Sequence, residues 1–280
     1  MTQLITGHTR FLAHLGTPTH SFKAPMIYNP YFEEAGIDVA VVPMDCGPDA
    51  FGDVLRSIFR LGNIAGALVT MPHKVPVVDM LDEVSPTVRV CGACNAVKVA
   101  ADGRLIGDMF DGEGFVRGVL RKGRAVAGAS ALVIGAGGVG SAIAASLANA
   151  GAAKVGVYDT DPDRAGGLAQ RLRDAFPNTQ VSVGSNDPAG WDIVVNATPL
   201  GMNQGDPMPC DTSRIAPETF VGEVVMKAEA TPFLAAARAN GCMTQVGTDM
   251  LFEQIPAYLE FFDLPSTTAE ALRRTAKIVY

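Results

Sequence analysis

The chain has 280 residues, 48% hydrophobic and 18% charged, enough to bury one large core or two of moderate size. Its net charge of −7 and sequence pI near 5.1 give no electrostatic field for nucleic acid or an acidic membrane. No segment reaches the ~20 apolar residues of a membrane span, and the start lacks a secretory leader pattern, so the expected location is the cytoplasm.

The first third alternates short apolar runs with helical spacing. Phe11–Leu15 reads as a strand, Pro25–Ala35 as a helix, Val39–Pro43 as a strand, Phe51–Leu61 as a helix and Ala65–Thr70 as the next strand. Such alternation predicts a largely parallel sheet covered by helices. The pattern restarts near residue 112. Ala131–Gly135 is a strand, an Ala-rich helix follows to about Ala150, and Lys154–Asp159 is a second strand. Arg164–Phe176 is helical and Asp192–Asn196 a further strand. The tail, with Asp249–Phe262 helical, is expected to return to the first domain. The fold class is therefore α/β with two domains. A mostly parallel first domain, to which the family resemblance given below assigns substrate binding, takes 1–111 plus 245–280, and a Rossmann dinucleotide-binding domain takes 112–244.

The second domain carries Gly135-Ala136-Gly137-Gly138-Val139-Gly140 between its first strand and helix. A lone GxGxxG is weak, but here an acidic residue, Asp159, ends the next strand about twenty residues on. Gly135 makes the tight turn, Gly137 admits backbone amides to a pyrophosphate, and Gly140 permits close helix–strand packing, with the helix N-terminus facing the phosphates. A carboxylate at Asp159 accepts both ribose hydroxyls of NAD and repels a 2′-phosphate, so NAD is expected over NADP. Arg164 has two readings, as a group stacking on adenine or meeting a phosphate, and as a solvated charge at a helix start.

Five cysteines (46, 91, 94, 210 and 242) form no disulfide framework. Cys91 and Cys94 make a CxxC, but no second pair or histidine cluster completes a zinc site, so it reads as structural and no metal is expected. The chemically suggestive segment is Gly66–Lys74, an apolar run breaking at Pro72 onto a lysine. Asn95 and Asp111 follow. A lysine, an amide and a carboxylate ahead of a dinucleotide site are the parts needed to move a proton while a cofactor moves a hydride.

Seven stretches in order give the chain a family resemblance. They are Gly16-Thr-Pro-Thr-His-Ser21, Val69-Thr-Met-Pro-His-Lys74, Gly92-Ala-Cys-Asn-Ala-Val97, Gly107 through Phe115, Gly135-Ala-Gly-Gly138, Asn196-Ala-Thr-Pro-Leu-Gly-Met202 and Gly247-Thr-Asp-Met-Leu-Phe-Glu-Gln254. Over nearly its whole length the chain resembles the shikimate/quinate dehydrogenases. The resemblance implies a catalytic pair, Lys74 and Asp111. It also implies that Ser21, Thr70, Asn95 and Gln254 hold the acid's carboxylate and ring hydroxyls, and that Thr198, Val224 and Gly247 border the nicotinamide.

Departures cluster at the substrate end. The usual Ser-x-Ser-Pro is Ser21-Phe-Lys-Ala-Pro25, the usual His-Asn is Tyr28-Asn29, and an asparagine before Val-Thr is Leu68. The Asn-Thr ahead of the aspartate is Met109-Phe110, and a tyrosine is Met226. Polar groups that discriminate for substrate hydroxyls are thus lost. Lys23 has two readings, as a partner for a substrate carboxylate and as a solvated loop lysine. The expected activity is hydride transfer between NAD and a hydroxyl of a shikimate- or quinate-like hydroxy acid, without nucleic-acid or membrane partners. A homodimer is compatible with the chain, and no sequence feature fixes it. The competing readings are a true shikimate dehydrogenase of aromatic amino acid biosynthesis and an idle NAD-binding sensor. Retention of both Lys74 and Asp111 argues against the sensor.

Overall fold

The structure is a computed structural model describing residues 5–226 and 230–279. It divides into two compact units, one running to Phe110 and resuming at Ile255, the other spanning Asp111–Gln254.

The first unit begins with β1 (Arg10–Gly16), α1 (Pro25–Ala35), β2 (Val39–Asp45), α2 (Pro48–Ile58) and β3 (Ile64–Val69). β1 pairs in parallel with β2 and β3, as the strand–helix alternation predicts. α1 stops where Gly36 adopts φ 65°, a left-handed cap that glycine takes without a Cβ clash. The Asn29 side chain brackets Val41, accepting from its N–H at 2.7 Å and donating to its carbonyl at 3.0 Å, which ties α1 to β2. α2 starts three residues before its expected position because Pro48 occupies the first turn, where a missing N–H is harmless.

Four short elements follow that periodicity did not predict: β4 (Glu83–Val84), α3 (Pro86–Cys91), β5 (Ala96–Val99) and β6 (Leu105–Asp108). They complete a sheet ordered β2-β1-β3-β5-β6-β4, with β5 antiparallel to both β3 and β6. The sheet is therefore mixed, parallel across β2-β1-β3 and again between β6 and β4. Cys91 and Cys94 are buried free thiols directed at the carbonyls of Ala93 and Ala96. Among the described residues no His/Cys/Asp/Glu cluster suits a metal, and no helix is long and apolar enough to cross a membrane.

The second unit holds α4 (Asp111–Arg121), β7 (Ser130–Ile134), α5 (Gly138–Asn149), β8 (Lys154–Tyr158), α6 (Pro162–Ala175), β9 (Gln180–Val183), β10 (Ile193–Asn196), β11 (Phe220–Glu223), α7 (Pro232–Ala239) and β12 (Met243–Gln245). Its strands run in the order β12-β11-β10-β7-β8-β9, every pairing parallel. This is the doubly wound order, whose ligand crevice lies where strand order reverses, here between β7 and β10. The core on one face of the sheet packs Leu132, Ile134, Val194 and Val221 against Phe233 and Leu234 of α7. Each such side chain contributes about 1.5–3 kcal/mol by leaving water.

α8 (Gly247–Phe261) and α9 (Ala269–Thr275) close the chain. Residues 245–254, expected with the first unit, fall in the second: Gln245 belongs to the parallel sheet, and Gly247 lies against the Val224–Val225 backbone. Asp111 also falls in the second unit, as the first residue of α4. From Ile255 onward the tail is part of the first unit, where the Lys277 N–H donates to the Met26 carbonyl at 2.9 Å and the Tyr31 hydroxyl to that of Pro265 at 3.2 Å.

Candidate active site

In the first unit several of the residues expected at the site gather at the C-terminal ends of β1 and β3, where a mostly parallel sheet presents its loops. Thr70 follows β3 and is fixed by its N–H donating to Leu15 at 2.9 Å. No Cβ fits at Gly16, because the Thr70 methyl, the Met71 carbonyl and the Phe22 ring fill the space. Lys74 lies half-buried one turn on. Its carbonyl accepts from Cys94 N–H at 2.7 Å, and Val77 N–H closes a turn onto His73 at 3.1 Å. His73 is buried; its Nε2 donates to the Cys46 carbonyl at 2.6 Å and its ring stacks on Phe51. The lysine therefore projects from a main chain held at several points.

Asn95 is 1% exposed, and its backbone joins Val69 to Asp108 while its Oδ1 accepts from Phe110 N–H at 3.0 Å. Thr70, Lys74 and Asn95 thus share one region, linked through β3. Ser21 is less engaged: it is exposed and its hydroxyl donates to the Pro18 carbonyl at 3.0 Å. Lys23 sends its Nζ to the Val279 carbonyl at 2.6 Å, which favours neither substrate contact nor full solvation. Ala24, where a serine was expected, stands at the start of α1 without a side-chain cap. Leu68 and the Tyr28 ring are buried.

The second unit contains the dinucleotide turn. Gly135 adopts φ 107°, and any Cβ there would press on Ala197 and Thr198. A Cβ at Gly140 would overlap the Gly135 carbonyl oxygen, so helix and turn approach as closely as a dinucleotide fold needs. Gly137, by contrast, faces open space, with the N–H groups of Gly138, Val139 and Gly140 opening α5 beside it. Asp159 follows β8; its carboxylate accepts from Ala136 N–H at 2.7 Å and Asp161 N–H at 3.0 Å. Burial raises its pKa, but the N–H groups of Asp161 and Ala136 and the Arg164 charge outweigh this and hold it below the usual range. These residues fit a dinucleotide: donors for phosphates, a cradle without side chains and a carboxylate for ribose. Arg164 is largely exposed and lies 3.8 Å from Asp161 at the start of α6.

After β10, the Asn196 Oδ1 accepts from both the N–H and the hydroxyl of Thr198, at 3.1 and 2.6 Å, and Leu200 N–H donates to the Thr198 hydroxyl. Val224 N–H donates to the Asn196 carbonyl, and Gly247 packs on Val224 and Val225. Thr198, Val224 and Gly247 thereby follow the C-terminal ends of three neighbouring strands, β10, β11 and β12. Asp111 is buried at the first turn of α4. Gln254 is 6% exposed, with a buried Oε1 that has no hydrogen-bond partner.

Two groups went unrecognised in the sequence. His14 on β1 is buried with Nδ1 lacking a partner. Glu223 at the end of β11 is fully buried and accepts from the Thr231 hydroxyl at 2.7 Å. Burial pushes its carboxyl up to about 7 against the pull of Thr231, Asn196 and Arg238. Each is a lone polar residue in an apolar run, the one signal that marks it.

Comparison with known proteins aligns with this geometry. A family model described as the shikimate dehydrogenase substrate binding domain matches residues 15–97, and one described as NADP oxidoreductase coenzyme F420-dependent matches residues 130–205. The chain is 34% identical over 272 residues to a shikimate dehydrogenase (NADP(+)) of Acidiphilium cryptum, covering 97% of each chain. A solved quinate dehydrogenase from Corynebacterium glutamicum, in complex with NAD, is 30% identical with a TM-score of 0.86, covering 95% of this chain and 98% of that one. A ligand-free 5-ketofructose reductase of Gluconobacter sp. is 27% identical with a TM-score of 0.87, covering 96% and 98%.

Proposed function

This chain belongs to the shikimate dehydrogenase family, and we propose that it moves a hydride between NAD and a hydroxyl of a shikimate- or quinate-like hydroxy acid. The nicotinamide, when bound, accepts or returns the hydride. Lys74 hydrogen-bonds the reacting oxygen. As the amine it takes the hydroxyl proton during oxidation, and as the ammonium it gives that proton back during reduction. Asp111 orients the lysine. Ser21, Thr70, Asn95 and Gln254 hold the carboxylate and the remaining hydroxyls of the acid.

The observation that carries this reading is the anchoring of Lys74, whose backbone is held through Cys94 and through the buried His73. A surface lysine needs no such support; a proton-transferring group held to a fraction of an ångström does. Gly135, Ala136, Gly137, Gly138, Val139 and Gly140 supply the phosphate cradle, Asp159 the ribose partner, and Thr198, Val224 and Gly247 the nicotinamide border. Arg164 stands at the adenine end. The Asp159 carboxylate supports NAD, since a 2′-phosphate there meets a like charge.

A second reading has a specific observation behind it. The Acidiphilium relative is named for NADP(+), so a true shikimate dehydrogenase working with NADP is the competitor. Loss of polar groups at positions 24 and 68 favours an acid other than shikimate.

The proton-transfer role is tested by Lys74→Ala. The expected result is a fall in kcat of roughly 100-fold to 10,000-fold, with the dissociation constant for NADH unchanged. A fully active variant overturns the assignment.

A further inference from the structure

His14 lies in the middle of a buried strand, in register with Pro43 on β2 and Leu68 on β3. Residues paired in a parallel sheet project to the same face, and residues two apart along a strand do so again. His14, Leu68 and Thr70 therefore share one face at the ends of β1 and β3. Two residues beyond His14 comes Gly16, whose empty Cβ position is bounded by the Thr70 methyl and the Phe22 ring. The imidazole stacks on that same Phe22 ring, centroids 4.1 Å apart and planes 27° from parallel. Phe22 in turn follows Ser21. The imidazole thus sits among the residues assigned to the substrate.

Its environment is unlike that of a core histidine. The side chain is more than nine-tenths buried, and Nδ1 has no hydrogen-bond partner. Buried polar atoms are normally satisfied by protein, by ordered water or by a ligand. Contrast His73, equally buried, whose Nε2 donates to a carbonyl at 2.6 Å. Burial, and after it the charge of Lys74, push the His14 imidazole down to about 3, so the ring is neutral under working conditions and close enough to the lysine to feel it.

We propose that His14 is a substrate-binding residue that sets specificity, hydrogen-bonding a second hydroxyl of the hydroxy acid, one that is not oxidised. The proposal rests on the reading of the site given above. A neutral imidazole carries one N–H and one lone pair. A hydroxyl both donates and accepts, so it suits a ring nitrogen in either tautomer, whereas a carboxylate suits only the protonated one. Position 68 offers leucine on the neighbouring strand, so at that level of the face the polar group comes from β1, with Thr70 beyond it at the end of β3. The substrate class is accordingly a ring acid with at least two hydroxyls.

The test compares wild type, His14→Leu and His14→Asn with NAD and three acids: quinate, shikimate and a cyclohexane carboxylate bearing one hydroxyl. NADH dissociation constants and thermal melts of each variant serve as fold controls. His14→Leu is expected to raise KM for whichever polyhydroxy acid wild type prefers by about tenfold, the loss of one buried neutral hydrogen bond. KM for the mono-hydroxy acid and for NAD stays within twofold. His14→Asn, whose amide reaches the Nδ1 position, recovers part of the loss. Equal effects of His14→Leu on mono- and polyhydroxy acids, or no effect on either, overturn the proposal and leave the functional reading standing. If wild type neither binds nor oxidises any of the three acids, the functional reading falls and this inference with it.

Discussion

The imidazole of His73 lies flat against the ring of Phe51, centroids 4.0 Å apart and planes 5° from parallel. Because its Nε2 also bonds Cys46 and its neighbour is Lys74, this stack connects α2 and the end of β2 to the segment that carries Lys74. His73→Ala opens a cavity and strands the Cys46 carbonyl, a loss of about 3 kcal/mol in urea unfolding. Its kcat should fall while KM for NAD is unchanged. His73→Phe keeps the stack without the hydrogen bond and should recover about half the stability. Equal stability of all three proteins would show that the stack does not hold the segment.

Substitutions at Gly137 and Gly140 are expected to separate cofactor binding from folding. At Gly137 an added Cβ meets nothing within 4 Å, and at Gly140 it overlaps the Gly135 carbonyl. Gly137→Ala should melt within about 2 °C of wild type, a surface-sized effect, yet bind NADH at least about tenfold more weakly by fluorescence titration, since the methyl occupies the phosphate approach. Gly140→Ala should lose both stability and binding, by about 1–3 kcal/mol in unfolding. Normal NADH affinity in Gly137→Ala would place the phosphates elsewhere.

The role proposed for Asp159 in cofactor choice acts through charge. Asp159→Ser removes the carboxylate, and the ratio of kcat/KM for NAD over NADP should drop by about tenfold, equivalent to about 1.4 kcal/mol. The orphaned Ala136 N–H predicts a small accompanying loss of thermal stability. An unchanged ratio would mean that residue 159 does not face the 2′ position.

Glu223 and His14 give stability opposite pH slopes. The Glu223 carboxyl rises from 4.5 unfolded to about 7 folded, so its contribution is present below pH 4.5 and is lost as pH rises through 7. The span is on the order of 3 kcal/mol. His14 falls from 6.5 to about 3, so its contribution is present above pH 6.5 and is lost as pH falls towards 3. Glu223→Gln should flatten unfolding free energy between pH 5 and 7, and His14→Leu should flatten the acid limb. A Glu223→Gln curve parallel to wild type would show that the carboxyl is ionised throughout.

The βαβ units were readable because their apolar runs end on glycine or acid at fixed intervals, as at Gly135 and Asp159. The region 83–108 was not: β5 and β6 have four residues each, too short for a period to emerge, and their antiparallel pairing interrupts the alternation. α2 was displaced because its apolar spacing begins at Phe51 while its backbone turns helical at Pro48. Lys74 and Asn95 were found through their motifs, and the structure adds what fixes them, the His73 stack and the Phe110 N–H. His14 and Glu223 carried only the weak signal of one polar residue among apolar ones. Whether such a residue is satisfied depends on neighbours from other strands, which spacing along the chain does not encode.

The central claim is that this member of the family oxidises a shikimate- or quinate-like acid and prefers NAD. Its most direct test is kcat/KM for shikimate and for quinate, each with NAD and with NADP, followed by absorbance of the reduced cofactor. The account predicts higher kcat/KM with NAD for both acids and quinate or a related acid favoured over shikimate. Efficient turnover of shikimate with NADP, exceeding every NAD-dependent rate, would contradict it.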